Sequence, residues 1–184
     1  ASAQQSNLEL ISSSARMMRT LLDDLLDMSK IEAGRMGVEV TAFDLRRLLL
    51  ETVRFWAPVA RRENLAFRLE GARRLPAWVK GDPTRIRQIL NNLLSNALKF
   101  TQEGAITLRM AADRHPDGSV GLTLEVIDTG PGMTDEQIGG LFTAYGQLSN
   151  SVARTHGGTG LGLNISRELA RLMGGDLAAE SAPG

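Results

Sequence analysis

Residues 82–101 read DPTRIRQILNNLLSNALKFT, a stretch whose spacing predicts a single amphipathic helix running to about Phe100. Asp82 is placed to cap its free N–H groups, and Pro83 suits the first helical position, where no N–H is needed. Ile86, Ile89, Leu90, Leu93, Leu94 and Ala97 recur on one face, apolar enough to be core. Asn92 and Asn96 stand four apart, so both amides project from a second face, and Lys99 borders it. Asparagine is a poor helix former, so two on one face need a reason. A solvated polar surface is the plain one. The chemical alternative is that a neutral amide oxygen ligates a hard cation such as Mg²⁺, whose other positions are filled by water and substrate phosphates.

Two glycine-rich stretches follow. Val126-Ile127-Asp128-Thr129-Gly130-Pro131-Gly132-Met133 is an apolar strand that delivers a carboxylate to its end, where two glycines turn the chain. Many tight turns look like this. A carboxylate there can accept a hydrogen bond from the exocyclic amine of adenine, whereas guanine presents a carbonyl and is repelled. Gly157-Gly158-Thr159-Gly160-Leu161-Gly162-Leu163 opens the last helix. Its glycines let backbone approach a ligand, and the helix N-terminus favours phosphate. It is neither a Walker loop nor the dinucleotide fingerprint. A flexible hinge is the plain alternative, at a cost of ~1 kcal/mol per helical glycine relative to alanine.

Outward from these clusters, the remaining chain alternates short strands and helices. Val38, Val40 and Ala42 suggest a strand, and Asp44 caps a helix from Leu45 to about Arg62 that contains Pro58. Leu65, Phe67 and Leu69 alternate, as a strand does, and Trp78-Val79 is another brief one. Strands are expected at 105–112 and 120–127, joined by a turn at His115-Pro116-Asp117-Gly118. Thr134 to Gln137 is a capping box, 143–158 a loop, 160–173 a helix closed by Gly174, and 176–180 a strand. Without regular βαβ alternation, the expected fold is α+β: a two-layer sandwich with helices on one face of a mixed sheet. Before it, residues 4–33 form a long coiled-coil-like helix ended by Gly34. Leu8, Ile11, Ala15, Met18, Leu22 and Leu25 make one stripe; Leu10, Met17, Leu21 and Met28 make another. Two stripes ask for partners on two sides, as in a four-helix bundle, rather than for a helix lying on its own domain, which would cover only one face.

The 184 residues balance 21 Lys and Arg against 21 Asp and Glu, which speaks against a nucleic-acid partner. Cysteine is absent, so thiolate metal sites and cysteine nucleophiles are excluded. No apolar run approaches the ~18 residues of a membrane span, so no membrane contact and a cytoplasmic location are expected. A membrane-anchored parent protein is compatible with this.

Together these residues resemble the catalytic, ATP-binding domain of histidine kinases, in the wider family shared with gyrase, HSP90 and MutL. DPTRIRQILNNLLSNALKFT is similar to the asparagine box, DTGPGM to the first glycine box and LFTAYGQ to the phenylalanine box. GGTGLGL is similar to the second glycine box, and MGGD to the turn before the last strands. LLDDLLDMSKIEAGR is similar to the end of the second helix of a dimerisation and phosphotransfer domain of hybrid kinases. The resemblance implies a partial dimerisation domain at 1–36 and a catalytic domain at 37–184 that lacks its C-terminal strand.

It implies ATP and Mg²⁺ as cofactors. Asn96 would ligate Mg²⁺, Asn92 would support it or the phosphates, and Lys99 would contact the phosphate chain. Phe100 would pack near the nucleotide; Asp128 would bind the adenine amine, with Gly130 and Gly132 shaping that wall. Gly158, Thr159, Gly160, Leu161 and Gly162 would wrap the phosphates, and Gln147 and Arg154 would reach the γ-phosphate from the lid. The implied partners are a histidine on the missing helix of its own dimerisation domain, a second copy in the intact homodimer, and a response-regulator receiver domain.

Three departures matter. Tyr145 replaces the usual second phenylalanine of the lid box; a final strand would lie beyond Gly184; and neither His115 nor His156 heads a helical acceptor motif. At the position of Asn92, ATPase relatives carry a glutamate that activates water. An amide takes no proton near neutral pH, so slow hydrolysis and transfer to an external histidine are expected. The alternative from another class is a nucleotide-gated pseudokinase that signals by lid closure. A DNA-topology or chaperone ATPase is disfavoured by Asn92.

Overall fold

The computed structural model describes residues 2–143 and 160–183. In chain order they form α1 (Ser2–Glu32), β1 (Thr41–Asp44), α2 (Leu45–Arg62), β2 (Ala66–Glu70) and β3 (Trp78–Gly81). Next come α3 (Pro83–Phe100), β4 (Ala105–Arg114), β5 (Val120–Asp128), α4 (Asp135–Gly140) and α5 (Gly162–Leu172). Strands β2, β4 and β5 make a mixed sheet in that order: β2 runs parallel to β4, and β5 antiparallel to it. A separate antiparallel pair joins β1 to β3.

Alternation along β4 explains the layering. Ile106, Leu108 and Met110 are buried and meet Leu45, Leu48 and Leu49 of α2 and Leu90, Leu94 and Ala97 of α3. On the opposite face Arg109 lies in register with Glu70 and Glu125 and pairs with both, at 2.8 and 3.5 Å. One face carries two helices; the other carries a solvated charge ladder. That is the expected two-layer sandwich.

Asp82 does more than cap α3. Its Oδ1 accepts from the N–H groups of Thr84 and Arg85, each at 3.0 Å, and its Oδ2 from Glu39 N–H at 2.9 Å. Burial alone would raise its pKa, yet these three donors hold it below the usual value. Because Glu39 spends its N–H on Asp82, the expected strand at Val38 and Val40 begins only at Thr41.

Two further expectations change. Residues 176–180 make no ladder and form no strand, although burial still alternates from Leu177 to Ser181. Alternation describes an extended chain, whereas a strand also needs a hydrogen-bonded neighbour. Helix α1 also divides its apolar stripes between two fates. Ile11, Met17, Met18, Leu21, Leu22 and Leu25 are exposed. Met28 and Ile31, with Met36 just beyond, pack on Leu161, Ile165 and Leu169 at α5 and on Ile89 of α3. Asp27 Oδ2 accepts from Gln88 Nε2 at 2.7 Å beside that contact. The last turns of α1 therefore lie on the chain's own globular part. Among the described residues no helix is long and apolar enough to cross a membrane.

Candidate functional site

Helix α3 is the spine of the site, because its exposed face touches a different cluster at each end. Near its C-terminus, a Cβ added to Gly130 would lie 2.8 Å from Asp128 Oδ1 and 3.1 Å from the Phe100 carbonyl oxygen. The glycine turn thus fits directly against the helix end, with room for no side chain. Gly130 N–H donates to Asp128 Oδ1 at 2.8 Å, which fixes the carboxylate at the end of β5. Thr129 braces the turn from behind: its Oγ1 accepts from Ala105 N–H at 3.0 Å and donates to the Glu103 carbonyl at 2.9 Å.

Gly132 has φ +70°, and a Cβ there would fall 1.9 Å from the Ala182 carbonyl oxygen. The C-terminal stretch therefore closes this turn, and Met133 N–H donates to Ser181 Oγ at 2.9 Å. Ser181 carried no signal in the sequence. Its partner lies 48 residues away, beyond the reach of any local pattern.

Two turns up α3, the neighbour is α5. Asn92 Nδ2 donates to Ser166 Oγ at 2.9 Å, and a Cβ on Gly162 would lie 2.4 Å from Asn92 Oδ1. The amide therefore lies across the first turn of α5, and Gly162 is the residue that lets the two helices meet there. Ser166, only 2 % exposed, also escaped the sequence reading. From Asn92 to Phe100, eight residues further on, α3 rises about 12 Å.

Asn96 lies between, half-buried on the same helix face. Lys99 has its pKa lowered by burial, and its Nζ stands 4.8 Å from the centre of the Phe100 ring. Leu161 is buried beneath α5, packed with Ile165 and Leu169, so its side chain belongs to the core. Gly160 takes φ +69° just before that helix. Gly158, Thr159, Gln147, Arg154, Tyr145 and His156 lie outside the described residues. His115 is in the β4–β5 hairpin turn, where its N–H donates to the Ser119 carbonyl.

Helix α5 also grips the chain after α4. Asn164 Nδ2 donates to the Phe142 carbonyl at 2.8 Å, and the Arg167 guanidinium stacks 4.8 Å from the Phe142 ring centre. Arg167 further donates to Asp176 at 3.0 Å, and this guanidinium holds the Asp176 carboxyl down at about 2. Spacing three apart on a helix was the only available hint for Asn164 and Arg167.

The donor set tests the fit of a cation. Among the described residues no group of three or more His, Cys, Asp or Glu side chains converges. Two neutral amides cannot balance a divalent ion, so it fits only if phosphate oxygens bring the negative charge. A nucleotide that extends from Asp128 to the first turn of α5 would bring that charge.

The family model described as histidine kinase-, DNA gyrase B-, and HSP90-like ATPase matches residues 81–184. The sensor histidine kinase GacS of Pseudomonas protegens is 41 % identical over 174 residues, covering 95 % of this chain and 19 % of that protein. The signal transduction histidine-protein kinase BarA of Escherichia coli is 37 % identical over 180 residues, covering 98 % and 20 %. The chain thus spans about a fifth of these relatives' length. Full-length ShkA, crystallised with AMPPNP, superposes with a TM-score of 0.74 at 27 % identity, over 97 % of this chain and 37 % of that one.

Proposed function

Since the chain belongs to the family of histidine kinase-, DNA gyrase B- and HSP90-like ATPases, we propose that it is the ATP-binding kinase core of a hybrid-type sensor histidine kinase. Residues 1–36 are the end of the second helix of a dimerisation domain, and 37–184 are the catalytic domain. The relatives named as sensor kinases support this reading. The observation that carries it is Asn92: an amide, tied to Ser166, where a hydrolase needs a base.

Asp128 accepts the adenine amine, and Gly130 and Gly132 shape that wall by letting the turn pack closely on Phe100 and on the C-terminal stretch. Phe100 packs beside the nucleotide. Lys99, with its charge partly desolvated, attracts the phosphate chain. Asn92 and Asn96 offer amide oxygens to a cation held by the phosphates, and Asn96 is the ligand. Gly158, Thr159, Gly160, Leu161 and Gly162 lead the backbone to the phosphates, while Gln147 and Arg154 meet the γ-phosphate. When bound, Mg²⁺ neutralises charge on the transferring group.

The chain's contribution is then position and charge rather than covalent chemistry. An imidazole nitrogen from the dimerisation domain bonds to the γ-phosphorus, the bond to the β–γ bridging oxygen breaks, and ADP leaves. The phosphoryl group passes next to a receiver aspartate. The intact protein works as a homodimer and requires no nucleic acid.

The test mixes this chain and ATP–Mg²⁺ with a separately produced dimerisation domain that bears the acceptor histidine. Acid-labile, base-stable phosphate on that domain is expected, with little ATP hydrolysis in its absence. Tight ATP binding without transfer would identify a pseudokinase, and fast hydrolysis without an acceptor would identify an ATPase.

A further inference from the structure

The Asn92 amide has two chemically different ends, and its orientation decides whether an oxygen or an N–H faces the ligand. Nδ2 is committed to Ser166 Oγ at 2.9 Å. Oδ1 is the end nearest Gly162, with a would-be Cβ 2.4 Å from Oδ1 and 3.2 Å from Nδ2. Gly162 and Ser166 stand four residues apart, so they lie one above the other on the face of α5 that meets α3. Ser166 is 2 % exposed, so water does not compete for its hydroxyl. In this structure the Ser166 hydroxyl is the acceptor of the Nδ2–H bond, and that bond is what fixes which end of the amide faces the first turn of α5.

Building on the nucleotide-site reading above, we propose that Ser166 is a positioning residue. It holds Asn92 with its oxygen towards the first turn of α5, where the cation and phosphates bind. Gly162 is part of the same device, since any side chain there would displace the amide. Ser166 touches neither nucleotide nor metal. Its effect passes through Asn92, so it must depend on the cation and not on the base.

The experiment titrates a non-hydrolysable ATP analogue into the 184-residue chain by calorimetry, once with Mg²⁺ and once with EDTA. Ser166→Thr and Ser166→Val add the same bulk and differ only in the hydroxyl. Val is expected to bind the Mg²⁺ complex about five- to tenfold more weakly than Thr, as loss of one hydrogen bond allows. In EDTA the two should agree within about twofold. Equal affinities of Thr and Val with Mg²⁺, or an equal difference in EDTA, would overturn the proposal. A ligand-free readout stands beside it: the Asn92 side-chain NH₂ resonances should resemble wild type in Thr and lose exchange protection in Val. Unchanged protection in Val also overturns it. A wild-type chain that ignores the analogue in both buffers overturns the nucleotide-site reading itself, while the resonances still decide whether Ser166 holds Asn92.

Discussion

The two ends of the α3 face are built by different means. At the C-terminal end, Asp128, Thr129, Gly130 and the Phe100 carbonyl come together through a strand end and a tight turn, and Asp128 bonds to the N–H two residues on. At the other end, Asn92 meets Gly162 and, 74 residues away, Ser166, and nothing local holds them together. The first end is preorganised by backbone geometry. The second exists only because α5 is anchored by its apolar side, where Leu161, Ile165 and Leu169 pack on α1 and α3. An end made by backbone geometry is rigid, whereas an end made by helix docking can be altered by whatever moves α1.

The division can be broken by measuring which ligands each substitution hurts. Asp128→Asn should cost the most, about 2–3 kcal/mol or roughly 30- to 100-fold in affinity, because a charged acceptor is lost. The loss should be the same for AMP, ADP and an ATP analogue in calorimetric titration. A loss that grows with phosphate number would abolish the division. Asn96→Ala should weaken the Mg²⁺–ATP complex by about 1–2 kcal/mol and leave AMP binding unchanged.

Gly162→Ala sharpens the comparison further. Alanine gains ~1 kcal/mol of helix propensity, but its Cβ would displace Asn92 Oδ1. Thermal melting should therefore change little, while affinity for Mg²⁺–ATP falls about three- to tenfold and AMP is unaffected. The smallest effect concerns the Arg167–Asp176 pair beneath Phe142. Its carboxyl is held below the ordinary 3.8, at about 2, so its contribution is present above pH 3.8 and disappears as pH falls through about 2. Asp176→Asn should lower the melting temperature slightly at neutral pH, and the two curves should converge on acidification.

Most of the architecture was legible because its signals are local. Asp82 and Pro83 start α3, Thr134 and Gln137 form the capping box of α4, and Asp44 caps α2 through Arg47 N–H. Each depends on atoms within four residues. The order of the glycine turns around the asparagine helix was legible for the same reason. Illegible were the late start of β1, the unpaired run 176–180, and the roles of Ser166, Asn164, Arg167 and Ser181. Glu39 diverts its N–H to a residue 43 positions away, and no spacing rule reports that.

The sequence by itself determined most of the helices and strands, which face of α3 is polar, and that its polar residues are amides rather than acids. Those are consequences of periodicity, capping and side-chain chemistry. Only the tertiary structure decided that α1 ends against α5, that the C-terminal stretch closes on Gly132, and which way the Asn92 amide faces. Each of these depends on packing between segments far apart in the chain, where hydrophobic contact brings the elements together and a few buried hydrogen bonds then select one arrangement.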